Sequence, residues 1–105
     1  MSEDDIQHII KSSFHRPVLI YKHSHRCSTG MLALSRIERD WGVMQDVVTP
    51  YMVNVIHERP ISQKIAELLG IRHESPQVLL IRDGKCVYHE SHLSISLSEA
   101  KQTLS

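Results

Sequence analysis

The sequence has little cysteine, no net charge and no long apolar run, and each shortage excludes a class of protein. Only two of its 105 residues are cysteine, too few for the disulfide framework of a small secreted protein. Its 12 basic and 12 acidic residues cancel, so composition gives no electrostatic signature of nucleic-acid binding. No stretch approaches the roughly 20 consecutive apolar residues of a membrane-spanning helix. We therefore expect no nucleic-acid partner and no membrane partner.

The beginning of the chain lacks the basic residues and apolar core of a secretory signal. Residues 1–5 are Met-Ser-Glu-Asp-Asp, and mixed polar and apolar residues follow them. We expect a cytoplasmic protein whose thiols rest in the reduced state. A length of 105 residues predicts one domain, spanning 1–105.

Helical and strand patterns alternate along the chain. Apolar spacing, caps and turn residues predict helices over 3–13, 27–42, about 60–70 and from 97 onward, and strands over 18–21, 51–56, 78–81 and 85–90. The order αβαβαββα predicts an α/β fold with a four-stranded mixed sheet flanked by helices. Ligands of such sheets bind at the carboxyl ends of the parallel strands.

Cys27 lies at such a position, because it follows a predicted strand and opens a predicted helix. The helix dipole and the neighbouring Arg26 favour its thiolate, which is the nucleophilic form. Gly30 stands where a Cys-x-x-Cys motif has its second thiol, so any thiol chemistry here uses a single cysteine. The alternative is that Cys27 is only a small residue at a turn.

Four segments together resemble one family. They are Tyr21-Lys22-His23-Ser24-x-Arg26-Cys27, Arg59-Pro60-x-Ser62, Ile71-x-His73-Glu74-Ser75-Pro76-Gln77-Val78, and Asp83-Gly84-Lys85 with His89-x-Ser91-His92. In these segments the chain resembles the YtxJ-like proteins, the monothiol bacilliredoxins of the thioredoxin-like superfamily. The resemblance implies that Cys27 exchanges disulfides with bacillithiol or a related low-molecular-weight thiol, and so removes that thiol from S-thiolated client proteins. It implies no metal and no tightly bound cofactor.

The resemblance also implies a substrate-binding surface. Ser75, Pro76 and Gln77 occupy the place where thioredoxin-like proteins present a cis-proline to the active cysteine and bind an extended substrate. Lys22 and Arg26, in a predicted polar loop over 22–26, could hold the carboxylates of the small thiol. The alternative for these two residues is a solvated basic loop.

The first helical turn departs from the family pattern. This family commonly has Cys-Pro-Ile-Ser where the chain has Cys27 followed by Ser28, Thr29 and Gly30. Ser24, His25, Ser28 and Thr29 are predicted to support the helix N-terminus. The missing proline puts the reactivity of the cysteine in doubt more than the type of reaction.

Two other functions stay open from the residues alone. His23, His25 and Cys27 could form a metal-binding module, although established zinc motifs have their ligands in two recognisable pairs. A thioredoxin-like fold could also bind partners without turnover. The second cysteine, Cys86, is predicted to be a packed residue that shares a face of its strand with Tyr88, not a resolving thiol.

Overall fold

The computed structural model describes residues 1–24 and 28–105. The elements are α1 (Glu3–Ser12), β1 (Val18–His23), α2 (Ser28–Asp40), β2 (Thr49–Asn54), α3 (Arg59–Leu69), β3 (Gln77–Arg82), β4 (Lys85–Ser91) and α4 (Leu97–Gln102). Short 3-10 turns at Trp41–Val43 and His92–Ser94 follow α2 and β4. The predicted order is confirmed, while the proposal that Cys27 itself opens α2 lies outside the described residues.

The four strands form one mixed sheet in the order β2-β1-β3-β4. β1 and β2 are parallel, and the other two neighbouring pairs are antiparallel. The carboxyl ends of β1 and β2 therefore share one edge with the amino end of β3, where Lys22 pairs with Gln77. This edge is called the carboxyl edge below.

Two apolar clusters hold helices against the two faces of the sheet. Ile6 of α1 and Ile65 of α3 pack with Ile20 on one face. Ile37 of α2 and Leu97 of α4 pack with Leu19 on the other. Burial of a side chain of this size stabilises the fold by about 1.5–3 kcal/mol. The central strand β1 is buried along all six residues, which explains its apolar run.

Caps fix several of the helix ends where the sequence predicts them. Ser2 and Asp5 form a complete capping box at the start of α1. The Ser96 side chain accepts a hydrogen bond from the Glu99 N–H at the start of α4. Gly70 ends α3 in the left-handed conformation, with φ of 67°.

Two predicted boundaries are wrong because strand pairing and a turn override the local pattern. β1 continues through His23, so Lys22 and His23 lie in a strand and not in a polar loop. β2 covers 49–54 instead of 51–56, since Thr49 is already paired with Val18. Its end is set by Asn54, whose side-chain oxygen accepts from the backbone N–H groups of the next turn.

The predicted shared face of Cys86 and Tyr88 is also wrong. A register shift in the β3–β4 pair lies between Leu80, which pairs with Tyr88, and Ile81, which pairs with Cys86. The extra residue on β4 reverses the alternation of side chains. Cys86 therefore packs on the α1–α3 face and Tyr88 on the α2–α4 face. The prediction that Cys86 is a packed residue is confirmed, since it is half-buried beside this cluster.

We expect Gly84→Ala to lower the free energy of unfolding by about 1–2 kcal/mol, because a residue with a Cβ resists the left-handed region. Gly84 has φ of 78°, and an added Cβ would lie 2.9 Å from the Phe14 ring. Urea denaturation measures the change. Gly42→Ala is the control, because its Cβ would meet nothing within 4 Å. An equal loss in both variants would contradict the turn argument.

Candidate functional site

Three of the predicted site residues, His25, Arg26 and Cys27, lie outside the described residues, so their predicted roles stay predictions. The described chain on either side of them belongs to the carboxyl edge. β1 ends at His23, and α2 begins at Ser28, the residue that follows Cys27 in the sequence. The described residues on both sides of the candidate nucleophile, His23 and Ser28, therefore lie at the end of β1 and the start of α2.

The other residues predicted to support the helix N-terminus have different environments. Ser28 is exposed and Thr29 half-buried in the first turn of α2, and Ser24 is half-buried just after β1. Gly30 is buried in the same turn. Because residue 30 is glycine, this position has no side chain and supplies no second thiol.

A buried tyrosine joins β1 to the first turn of α2. The Tyr21 hydroxyl donates to the Gly30 carbonyl oxygen at 3.1 Å and lies 3.0 Å from Nδ1 of His23. Tyr21 is 5% exposed and His23 only 1%. Sequence reasoning missed this pair, although residues two apart on one strand necessarily share a face.

The loop before β3 carries the predicted substrate-binding residues. The Ser75–Pro76 peptide bond is cis, as predicted. The side chain of Gln77 is buried and spans the loop, donating to the Arg72 carbonyl at 3.0 Å and accepting from the Glu74 N–H at 3.4 Å. The Gln77 amide thus stabilises the conformation of its own loop.

Further contacts tie this loop to the end of β4. The Ser91 hydroxyl donates to the Glu74 carboxylate, which keeps the pKa of Glu74 below its usual value. The His92 N–H donates to the Pro76 carbonyl at 2.9 Å. Ser75 Oγ is buried without a hydrogen-bond partner among the described residues. The loop is thus fixed at the carboxyl edge by its own Gln77 side chain and by the end of β4.

Lys22 is fully buried, so the alternative of a solvated basic loop is wrong for this residue. Its side chain lies on the α3 side of the sheet, where Nζ donates to the Ser62 carbonyl at 3.0 Å and lies 3.1 Å from Nδ1 of His73. Burial lowers the pKa of Lys22 from 10.5 to about 8. Its role in binding carboxylates stays a prediction, and its charge would have to act from a buried position.

The described residues bear on the metal-binding alternative and on the expectation of no membrane partner. Within 1–24 and 28–105, no three His, Cys, Asp or Glu side chains are grouped to hold a metal ion. The proposed His23, His25 and Cys27 set reaches beyond those residues and stays a prediction. None of the described helices is both long enough and apolar enough to span a bilayer.

Cys86 lies far from the carboxyl edge. Cys86 pairs with Ile81, and Ile81 pairs with Val18 at the start of β1. Val18 is five residues before His23, so Cys86 lies about 16 Å from the carboxyl edge along the strand direction. Burial raises the pKa of its thiol, and Sγ donates to the Tyr88 carbonyl. Both observations favour an inert thiol.

Comparison with known proteins decides the family. The family model for monothiol bacilliredoxin BrxC matches residues 1–100, which is nearly the whole chain. The chain belongs to the monothiol bacilliredoxin family. The resemblance of its four sequence segments to this family is thereby confirmed.

Solved structures agree on the fold of this chain. A protein described as a proposed oxidoreductase with a thioredoxin fold is 26% identical, with a TM-score of 0.82 over 99% of this chain and 89% of the other. Fasciola hepatica thioredoxin is 17% identical, with a TM-score of 0.69 over 96% of this chain and 89% of the other. Mitochondrial thioredoxin 3 from Saccharomyces cerevisiae is 11% identical, at 0.69 over 94% and 84%. The predicted thioredoxin-like fold is confirmed.

We expect Tyr21→Phe to lower the free energy of unfolding by about 1–2 kcal/mol, because the buried Gly30 carbonyl and His23 both lose a partner. Urea denaturation measures this. Tyr51→Phe is the matched control, since no hydrogen bond of the Tyr51 hydroxyl is found within the described residues. Equal stability of Tyr21→Phe and wild type would refute the link between β1 and α2.

Lys22→Met should raise the free energy of unfolding at pH 7 by about 1–3 kcal/mol, because it removes a buried charge. In wild type, the unfolded chain binds more protons at Lys22 between pH 8 and 10.5, so this residue makes stability rise across that interval. The advantage of Lys22→Met should therefore shrink as the pH approaches 10.5. Urea denaturation of both proteins at pH 7, 8, 9 and 10.5 measures it, and a constant difference would contradict the burial argument.

Proposed function

We propose that this protein is a monothiol oxidoreductase that removes bacillithiol, or a related low-molecular-weight thiol, from mixed disulfides on oxidised proteins. The observation that carries the proposal is the family match over residues 1–100, in a chain whose candidate site contains one cysteine, Cys27. The structural neighbour described as a proposed oxidoreductase supports the same class of chemistry.

The exchange would take place in two balanced steps. The Cys27 thiolate attacks the sulfur of the small thiol in the mixed disulfide, and the client cysteine leaves as a thiolate that takes up a proton. Cys27 is then itself joined to the small thiol. A second molecule of the small thiol attacks that disulfide, restores Cys27 and leaves as part of a low-molecular-weight disulfide.

The rest of the chain supports a mechanism without a second internal thiol. Gly30 replaces the resolving cysteine of a dithiol motif, and its carbonyl is held by Tyr21. Cys86 is half-buried on the α1–α3 face, with a raised pKa, at a level far from the carboxyl edge. Regeneration by an external thiol is the mechanism consistent with both positions.

We further propose that the loop at Ser75, Pro76 and Gln77 contacts the bound substrate. This loop is fixed by the Gln77 side chain and by the end of β4, so it offers a rigid surface at the carboxyl edge. Because the Gln77 amide is buried, we propose that Gln77 contributes to substrate binding by holding the shape of the loop. Rigid support of this kind reduces the ordering cost of binding.

The proposed setting is the cytoplasm, where small thiols keep protein cysteines reduced. The proposed partners are S-thiolated client proteins and the small thiol itself, which acts as co-substrate. The proposed chemistry proceeds without a metal or a tightly bound cofactor, because thiol–disulfide exchange supplies its own electron pair.

The direct test is intact-mass spectrometry after exposure of the protein to bacillithiol disulfide, glutathione disulfide and coenzyme A disulfide. We expect one adduct of one small thiol on wild type and on Cys86→Ser, and none on Cys27→Ser. The matching reduced thiol should remove the adduct. Absence of any adduct on wild type would overturn the proposal and favour a binding or metal-binding role.

A further inference from the structure

A polar pocket of about 300 Å³ opens beside the buried lysine at the carboxyl edge. It lies between the end of β2 and the start of α3, and it is lined by Val55, Ile56, Arg59, Ser62, Gln63 and His73. Two of these lining residues, Ser62 and His73, are the hydrogen-bond partners of Lys22. The Lys22 ammonium therefore lies directly behind the wall of the pocket.

Three hydrogen bonds connect Lys22, Ser62 and His73 to one another at the wall of the pocket. Nδ1 of His73 lies 3.1 Å from the Lys22 ammonium and 3.1 Å from the Ser62 hydroxyl. An ammonium is only a donor, so Nδ1 must be an acceptor, and the proton of the neutral ring is on Nε2. Partial desolvation and the charges of Lys22 and Arg59 lower the pKa of His73, while the Glu74 carboxylate raises it.

No carboxylate of the described residues is paired directly with the two cations beside the pocket, although the Glu74 carboxylate acts on His73 and raises its pKa. Among residues 1–24 and 28–105, no acidic side chain forms a salt bridge with Lys22 or Arg59. The two nearby carboxylates on the chain have other partners. Glu58 accepts from the Asn54 N–H and pairs with the terminal ammonium of Met1, and Glu74 accepts from Ser91.

We propose that this pocket binds a carboxylate of the low-molecular-weight thiol, and so makes the protein selective for small thiols that carry one. The proposal rests on the proposed function. The Arg59 guanidinium and Nε2–H of His73 are the donors offered to the carboxylate, and the buried Lys22 supplies charge from behind. A bound anion would supply the counter-charge that Lys22 lacks in the described fold.

The pocket also explains how a thiolate could react with an anionic disulfide. A nucleophilic sulfur and a substrate carboxylate repel each other across the short span of one small disulfide. A cationic pocket at the same edge removes the penalty for the correct substrate only. A neutral disulfide of equal size gains nothing from Arg59 or Lys22.

The test compares two small disulfides that differ in charge, dithiodipropionate and bis(2-hydroxyethyl) disulfide. Rates of Cys27 modification by each are followed by intact-mass spectrometry, and their ratio is the selectivity. We expect Arg59→Gln to lower the ratio about tenfold, the effect of losing one charge-assisted hydrogen bond. Lys85→Gln is the control, because it removes one positive charge at the opposite end of the sheet. An unchanged ratio in Arg59→Gln would overturn the proposal.

A binding measurement separates this proposal from the reaction on which it rests. Succinate is titrated into Cys27→Ser protein while NMR follows the His73 imidazole. A saturable shift that Arg59→Gln abolishes supports the pocket even if Cys27 is inert, in which case only the proposed function fails. No saturable shift in Cys27→Ser would overturn the pocket. Lys22→Met, which should fold because a buried charge is replaced by an apolar chain, is expected to weaken the same shift.

Discussion

The site depends on the pairing of β1 through its last residue, His23. Because β1 is held by β2 on one side and β3 on the other, its final residues keep the strict alternation of a strand. Tyr21 and His23 face α2, and Lys22 faces α3. At this strand end, Tyr21 and His23 therefore lie beneath α2. Lys22 lies on the opposite face, next to the pocket that Arg59 lines.

The two sides of this strand end have opposite electrostatic roles. On the α2 side, hydrogen bonds join Tyr21, His23 and the Gly30 carbonyl, and they fix the helix start relative to the sheet. On the α3 side, Lys22 is a buried charge without a neighbouring carboxylate among the described residues. Such a charge costs stability, and an anion bound in the proposed pocket would offset that cost.

The order of elements was predictable because strong local signals mark it: the apolar runs of β1 and β3, the Ser2 capping box and Gly70. The ends of β1 and β2 were not, since strand pairing decides them and pairing is not visible in a single segment. The bulge that separates Cys86 from Tyr88 left no local signal either. The environment of Lys22 was not predicted, because a lysine in a sequence usually indicates an exposed position. Its contacts with Ser62 and His73 join segments that are distant in the sequence.

The measurement that tests the central claim most directly is transfer from a real mixed disulfide. A peptide cysteine joined to bacillithiol is mixed with one equivalent of reduced protein, and both products are weighed by mass spectrometry. The account predicts free peptide thiol and one bacillithiol on Cys27, with no transfer to Cys27→Ser. Peptide that keeps its bacillithiol, or peptide joined to the protein as the final product, would contradict a monothiol exchange that removes the small thiol.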